Sequence, residues 1–167
     1  CVFIDRKNMR AAAAALNEAS GWVAKGYSMV VFPEGTTHTS NPILDEFKSG
    51  AFKIAQKNKV PVVVLLNHGH YLNAPFWDFR QYRKVPFYST MKQILTVEQI
   101  EKMSAEEINE LIRNEMYYDD HQWQKDNNIK ITEDFRADGL NKVLYKCPHC
   151  MAEGKTIGKG IHLTCEE

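Results

Sequence analysis

No stretch of this sequence approaches the ~20 consecutive apolar residues that a membrane-crossing helix requires. Neither sign of charge is in excess, since Lys and Arg total 21 and so do Asp and Glu. That balance excludes a global field that would gather nucleic acid or anionic lipid, so any phosphate site has to be built locally. Cysteine is sparse, with one residue near the start and three close to the end. Such a distribution argues against a disulfide framework spanning the chain; it suits a local metal site and a reducing, cytosolic environment. No initiator Met or signal region precedes Cys1-Val2-Phe3-Ile4-Asp5-Arg6, and the sequence is expected to be an internal fragment. What is present is globular material: 167 residues, 44% hydrophobic and 25% charged, enough for one core and a small appendage.

The first third alternates between strand and helix patterns. Val2-Phe3-Ile4 reads as a short strand, and Asn8 suits the N-cap of a helix whose apolar positions Met9, Ala12, Ala13, Leu16, Ala19 and Val23 recur at helical spacing. Gly26 closes it. Met29 to Phe32 predicts a second strand, Gly50 to Asn58 a second helix, and Val60 to Leu66 a third, fully buried strand. Parallel neighbours need helical crossovers, so this order predicts an α/β fold with a largely parallel sheet flanked by helices. Ligands in such sheets sit at the carboxyl ends of strands. Arg6 follows the first strand and Glu34-Gly35 the second, so both could face one crevice if the two strands are neighbours or near neighbours. An arginine there can grip a phosphate with its fork, a glycine lets amides approach an oxyanion, and a glutamate can accept from a hydroxyl. Spacing alone equally fits a plain Pro-Glu-Gly turn beside a solvated arginine.

"CVFIDR", "VVFPEGTT" and "FKSGAFKIAQKNKVPVVVL", in that order, resemble the second, third and fourth blocks of the glycerolipid acyltransferases, the 1-acylglycerol-3-phosphate acyltransferase family. The resemblance is firm from residue 1 to about Leu66 and weaker to about residue 118. It implies transfer of a fatty acyl group from a CoA or carrier-protein thioester to a lysophospholipid hydroxyl. Residue by residue, it places Arg6 as the second-block arginine and Glu34, Gly35, Thr36 and Thr37 in the third block, which binds the glycerol-phosphate acceptor. Val60-Pro61-Val62 matches the fourth block. The family's third block continues Glu-Gly-Thr-Arg-Ser, whereas this chain has Glu34-Gly35-Thr36-Thr37-His38, so a cation is missing; His38, Lys48 and Lys53 are the nearby candidates to replace it.

The family's first block, a His and an Asp separated by four residues, supplies the general base and the carboxylate that orients it. It would precede Cys1, so the base is expected upstream. His121 and Asp126 match its spacing, but they follow the fourth block and stand in the polar setting "YYDDHQWQKDNN".

Further along, His68 and His70 are two apart, which a strand would put on one face. With no third ligand nearby, they read as structural, as do Phe76, Trp77 and Phe79. Thr96 with Gln99 and Ser104 with Glu107 are in capping-box register, and Ile108, Leu111, Ile112 and Met116 form an apolar stripe expected to pack on the parent domain. "DDHQWQKDNNIKITEDFRADG" reads as a polar connector with one short strand. Cys147-Pro148-His149-Cys150 and Cys165-Glu166-Glu167 resemble the two knuckles of a zinc ribbon cut one residue short, with Gly154, Gly158 and Gly160 suited to a hairpin between them. His149 or His162 could complete the set in this form.

The expected organisation is an acyltransferase domain over 1–118, a connector over 119–145 and a truncated zinc ribbon over 146–167. The expected activity is O-acyl transfer in phospholipid synthesis, with acyl-CoA or acyl-carrier protein as donor and a lysophospholipid as acceptor. A structural Zn²⁺ on Cys147, Cys150 and Cys165 is expected, with no organic cofactor and no nucleic-acid partner. The expected location is the cytoplasmic face of a membrane, reached peripherally or through a preceding segment. Two alternatives stand beside this reading: a different acceptor, favoured by the absent arginine, and a binding module in which the ribbon recognises protein or nucleic acid on a degenerate scaffold. Its only cations, Lys146, Lys155 and Lys159, are sparse for tracking phosphates.

Overall fold

Asn8 opens the first helix as its sequence suggests. In a computed structural model of the chain, the Asn8 side chain accepts from the amides of Arg10 and Ala11 and starts α1, Met9–Ala24. The structure describes residues 2, 4, 7–35, 41–48, 50–78 and 80–167, with Ala51 described by its backbone alone. The remaining elements are α2 (Gly50–Asn58), β1 (Val62–His68), α3 (His70–Asn73), a 3₁₀ turn (Phe76–Asp78), β2 (Tyr88–Leu95), α4 (Val97–Lys102), α5 (Ala105–Met116), α6 (Asp120–Asp126), a second 3₁₀ turn (Leu140–Lys142), β3 (Thr156–Lys159) and β4 (His162–Cys165).

Two compact units arise, one from residues 1–66 and 91–117, the other from 67–90 and 118–167. In the first, Phe47, Phe52, Ala55, Val64, Leu95, Ile100, Ile108 and Ile112 form the core. The predicted stripe of α5 faces it: Ile108 and Ile112 are buried, with Leu111 and Met116 packed beside them. Each such side chain stabilises the fold by roughly 1.5–3 kcal/mol. Both capping boxes form: Thr96 accepts from the Gln99 amide and Ser104 from that of Glu107, and each partner's side chain returns to the cap's own amide. Helices α1 and α2 meet where Gly50 lies against the Leu16 side chain, and Asn58 Nδ2 donates to Ser20 Oγ at 2.9 Å.

The sheet departs from expectation. The described strands form two two-stranded sheets, β1 with β2 and β3 with β4, in place of one large, largely parallel sheet. Met29 to Phe32 lies outside any strand: a strand needs a ladder, and this segment finds no ladder partner among the described residues, leaving Val30 and Phe32 exposed. Phe3, in the centre of the proposed first strand, is outside the described residues, and Val2 and Ile4 carry no strand. The third strand forms two residues later than expected and is buried on one face only, with Val64 inside and Val63 and Leu65 exposed. Segment 119–145 contains α6 and a 3₁₀ turn, with no strand.

Candidate functional site

Phe32 to Gly35 makes a tight turn. Gly35 N donates to Phe32 O at 3.0 Å with buried Pro33 next after Phe32, where its fixed φ suits such a turn, and Gly35 takes φ 69°, open to a residue without Cβ. The chain then returns to this turn. Lys48 N donates to Pro33 O at 2.8 Å, and Asp45 N donates to Glu34 Oε2 at 2.9 Å, so the Glu34 carboxylate has a fixed orientation. A carboxylate so held can accept a hydrogen bond from a substrate hydroxyl, and the turn amides beside Gly35 can approach an anion. Arg6, Thr36 and Thr37, which the resemblance assigns to the same site, lie outside the described residues, as does His38. Lys48 reaches Glu46 at 3.0 Å in an exposed ion pair, and Lys53 is exposed on α2.

Sequence reasoning missed one residue here. Arg113, in the last turn of α5, donates from Nη1 to Asp45 O at 2.7 Å and from Nη2 to Leu44 O at 2.8 Å, with its guanidinium 5.6 Å from the centre of the Phe47 ring. These contacts span 68 and 69 residues of chain, so no local pattern could announce them.

The cysteines do come together. Cys147, Cys150 and Cys165 have sulfurs within 4.8 Å of one another, and this group can hold a metal ion. The residues that carry it explain why. Cys147 N donates to Ala152 O and Met151 N to Cys147 O, both at 2.9 Å, with Met151 at φ 61°, which curls the first pair into a knuckle. The amides of Cys150 and His149 hold the Cys147 thiol down to about 7, favouring the thiolate that a metal needs. Cys165 arrives from the other side at the end of an antiparallel hairpin, paired with Thr156, and Gly160 makes its turn at φ 61°. The hairpin is seated by Ala137 N donating to Gly160 O at 2.8 Å and by buried Thr156, whose hydroxyl donates to Leu144 O at 2.8 Å. Neither His149 nor His162 belongs to the ligand group.

The two histidine pairs separate. His68 ends β1, with Nε2 3.0 Å from Thr90 Oγ1 and its ring stacked on Tyr88, while His70 begins α3, so they do not share a strand face. His121 and Asp126 fall on one short helix, where five residues turn through roughly 140° beyond a full revolution. His121 lies edge-on to Tyr71, whereas Asp126 accepts from Gln122 Nε2 at 2.8 Å. The buried carboxylate of this region is Asp120, which accepts from Gly69 N at 2.7 Å and Tyr71 N at 2.9 Å. Burial, with Asp120 alongside, pushes the phenols of Tyr118 and Tyr71 upward.

Residues 1–67 match the family model described as Acyltransferase. A protein of Mycoplasma pneumoniae named probable 1-acyl-sn-glycerol-3-phosphate acyltransferase is 51% identical over 65 residues, 39% of this chain and 24% of that protein. One of the same name from Mycoplasma genitalium is 48% identical over 63 residues, 38% of this chain and 23% of that protein. A 1-acyl-sn-glycerol-3-phosphate acyltransferase of Saccharomyces cerevisiae is 41% identical over 63 residues, 36% of this chain and 21% of that protein. The match thus spans about a quarter or less of each relative's length. No solved structure matches the chain significantly. Among the described residues, no helix is long and apolar enough to cross a membrane. Three ordered blocks, the Acyltransferase family model and relatives named 1-acyl-sn-glycerol-3-phosphate acyltransferase thus all fall on the same stretch, residues 1–67, which is where this chain is similar to the glycerolipid acyltransferases.

Proposed function

We propose that this chain is part of an O-acyltransferase of phospholipid synthesis, moving a fatty acyl group from a CoA or carrier-protein thioester to the hydroxyl of a lysophospholipid such as 1-acylglycerol-3-phosphate. The observation that carries this reading is the family match over residues 1–67, which contains the Glu34-Gly35 turn. In the reaction, a general base takes the acceptor's hydroxyl proton, the oxygen attacks the thioester carbonyl, and the thiol departs as the ester forms. The resemblance assigns that base to a His followed five residues later by an Asp. Arg6, Glu34, Gly35, Thr36 and Thr37 fix the acceptor, with Arg6 on its phosphate and Glu34 on a hydroxyl. Such an enzyme meets its acceptor at a membrane surface, on the cytoplasmic face.

Cys147, Cys150 and Cys165 would hold a structural Zn²⁺. At ~2.3 Å from a tetrahedral zinc, two thiolates are about 3.8 Å apart, close to the 3.6 Å between Cys150 and Cys165. Thr37, standing in place of an arginine, favours a second reading in which the acceptor carries a head group other than the usual phosphate.

The test is acyl transfer to lysophosphatidate by the full-length protein carrying this sequence. Arg6→Ala and Glu34→Ala should each reduce transfer at least about a hundredfold if they hold the acceptor. Wild-type rates in both variants would refute the assignment.

A further inference from the structure

Arg113 occupies a position that neither the family match nor the acceptor residues account for. Its planar fork takes two successive carbonyls, Leu44 O at 2.8 Å and Asp45 O at 2.7 Å, and Asp45 N donates in turn to Glu34 Oε2 at 2.9 Å. Asp45 is therefore gripped at both ends, its carbonyl by Arg113 and its amide by Glu34. Phe47 anchors the same segment, 4% exposed in the core and beneath the guanidinium. A fork on two carbonyls fixes the direction of a peptide as well as its place, which a lysine's single ammonium cannot do.

We infer that Arg113 is a positioning residue of the acceptor site: by fixing the peptides at Leu44 and Asp45 it sets the amide that orients the Glu34 carboxylate. The inference rests on the reading of Glu34 as acceptor-binding. When the fork is lost, the Asp45 peptide is held less firmly and the Glu34 carboxylate loses part of what orients it, so the acceptor meets a less ordered site. Proton transfer and attack on the thioester use other groups and keep their rate once the acceptor is bound.

Steady-state kinetics on the full-length protein carrying this sequence test it, with lysophosphatidate varied at saturating acyl donor. R113A should raise the acceptor KM about tenfold, with kcat changed less than about twofold and the donor KM unmoved, as expected for two charge-assisted bonds at a partly solvated site. R113K should recover part of the loss. Because Arg113 acts through Glu34, R113A/E34Q should be no worse than E34Q alone. Should R113A fail to fold, R113K carries the test, since it keeps the charge but only one carbonyl contact. An unchanged acceptor KM in an active R113A or R113K protein overturns the inference, and so does a double variant whose losses simply multiply. No acyl transfer in the wild type overturns the proposed function and, with it, this role.

Discussion

Cys150 Sγ lies 3.6 Å from Cys165 Sγ, although the two are fifteen positions apart in the chain. That separation is too long for a disulfide, at about 2.05 Å, and suits two thiolates sharing an ion. Protein prepared with zinc should carry about one ion per chain, and Cys150→Ser or Cys165→Ser should lower that content sharply by elemental analysis. Chelation should lower the melting temperature of the wild type and leave the serine variants unmoved, because ion binding and folding of this region are coupled.

Ser104 N donates to Glu107 Oε2 at 2.8 Å, and this bond, with that of the Ser104 hydroxyl, holds the Glu107 carboxyl below the usual carboxylate range. A depressed acid contributes stability that is present above its unfolded value, about 4.3, and is lost as pH falls through its folded value. Denaturant titrations between about pH 6 and pH 3 should show a smaller acid-dependent loss in Glu107→Gln than in the wild type. Ser104→Ala should cost about 1 kcal/mol at neutral pH.

Asp120 is 2% exposed and faces two amide donors, those of Gly69 and Tyr71. Asp120→Asn keeps the shape but turns an NH₂ group toward one of those donors. A loss of about 2–3 kcal/mol in equilibrium unfolding is expected. A neutral result would mean that the two amide bonds contribute little.

Gly69 takes φ 76°, and a Cβ there would collide with the Pro86 carbonyl. Gly69→Ala should therefore destabilise by at least about 2 kcal/mol, whereas Gly26→Ala, at φ 89° but in open space, should cost only the backbone strain of about 1–2 kcal/mol. Parallel melts of the two variants separate crowding from conformation.

Ile108 is fully buried at the centre of the α5 stripe. Ile108→Ala should cost about 2–5 kcal/mol, read from the denaturation midpoint, while Asn109→Ala on the flank should cost far less.

Helices α1, α2, α4 and α5 were legible because their signals are local, whereas α6 lies in a segment read as a polar connector. Asn8, Thr96 and Ser104 sit within three residues of the amides they cap, and α2 begins and ends where its pattern does. The sheet was not, because pairing is a long-range property. Met29 to Phe32 has a strand's composition without a ladder partner among the described residues, whereas Tyr88–Leu95, whose Tyr, Thr and Ile could have signalled a strand, pairs with β1. The cysteine cluster was legible as well, with Cys147-x-x-Cys150 as one knuckle and Cys165 opening a second, and the fold brings the three sulfurs within 4.8 Å of one another. Glu34 was visible as part of a turn; its tie to Asp45, and that of Asp45 to Arg113, came only from tertiary structure.

Because the first compact unit joins residues 1–66 to 91–117 and the second joins 67–90 to 118–167, each is interrupted by the other along the gene. No single stop codon or protease cut can release either one whole. An expression fragment ending at residue 117 would carry 67–90 as an internal insertion stripped of Asp120, the partner of Gly69 and Tyr71, and one beginning at residue 118 would lack the segment that Asp120 holds. A shortened form of either unit would need its two stretches rejoined by a new linker, with the intervening stretch taken out.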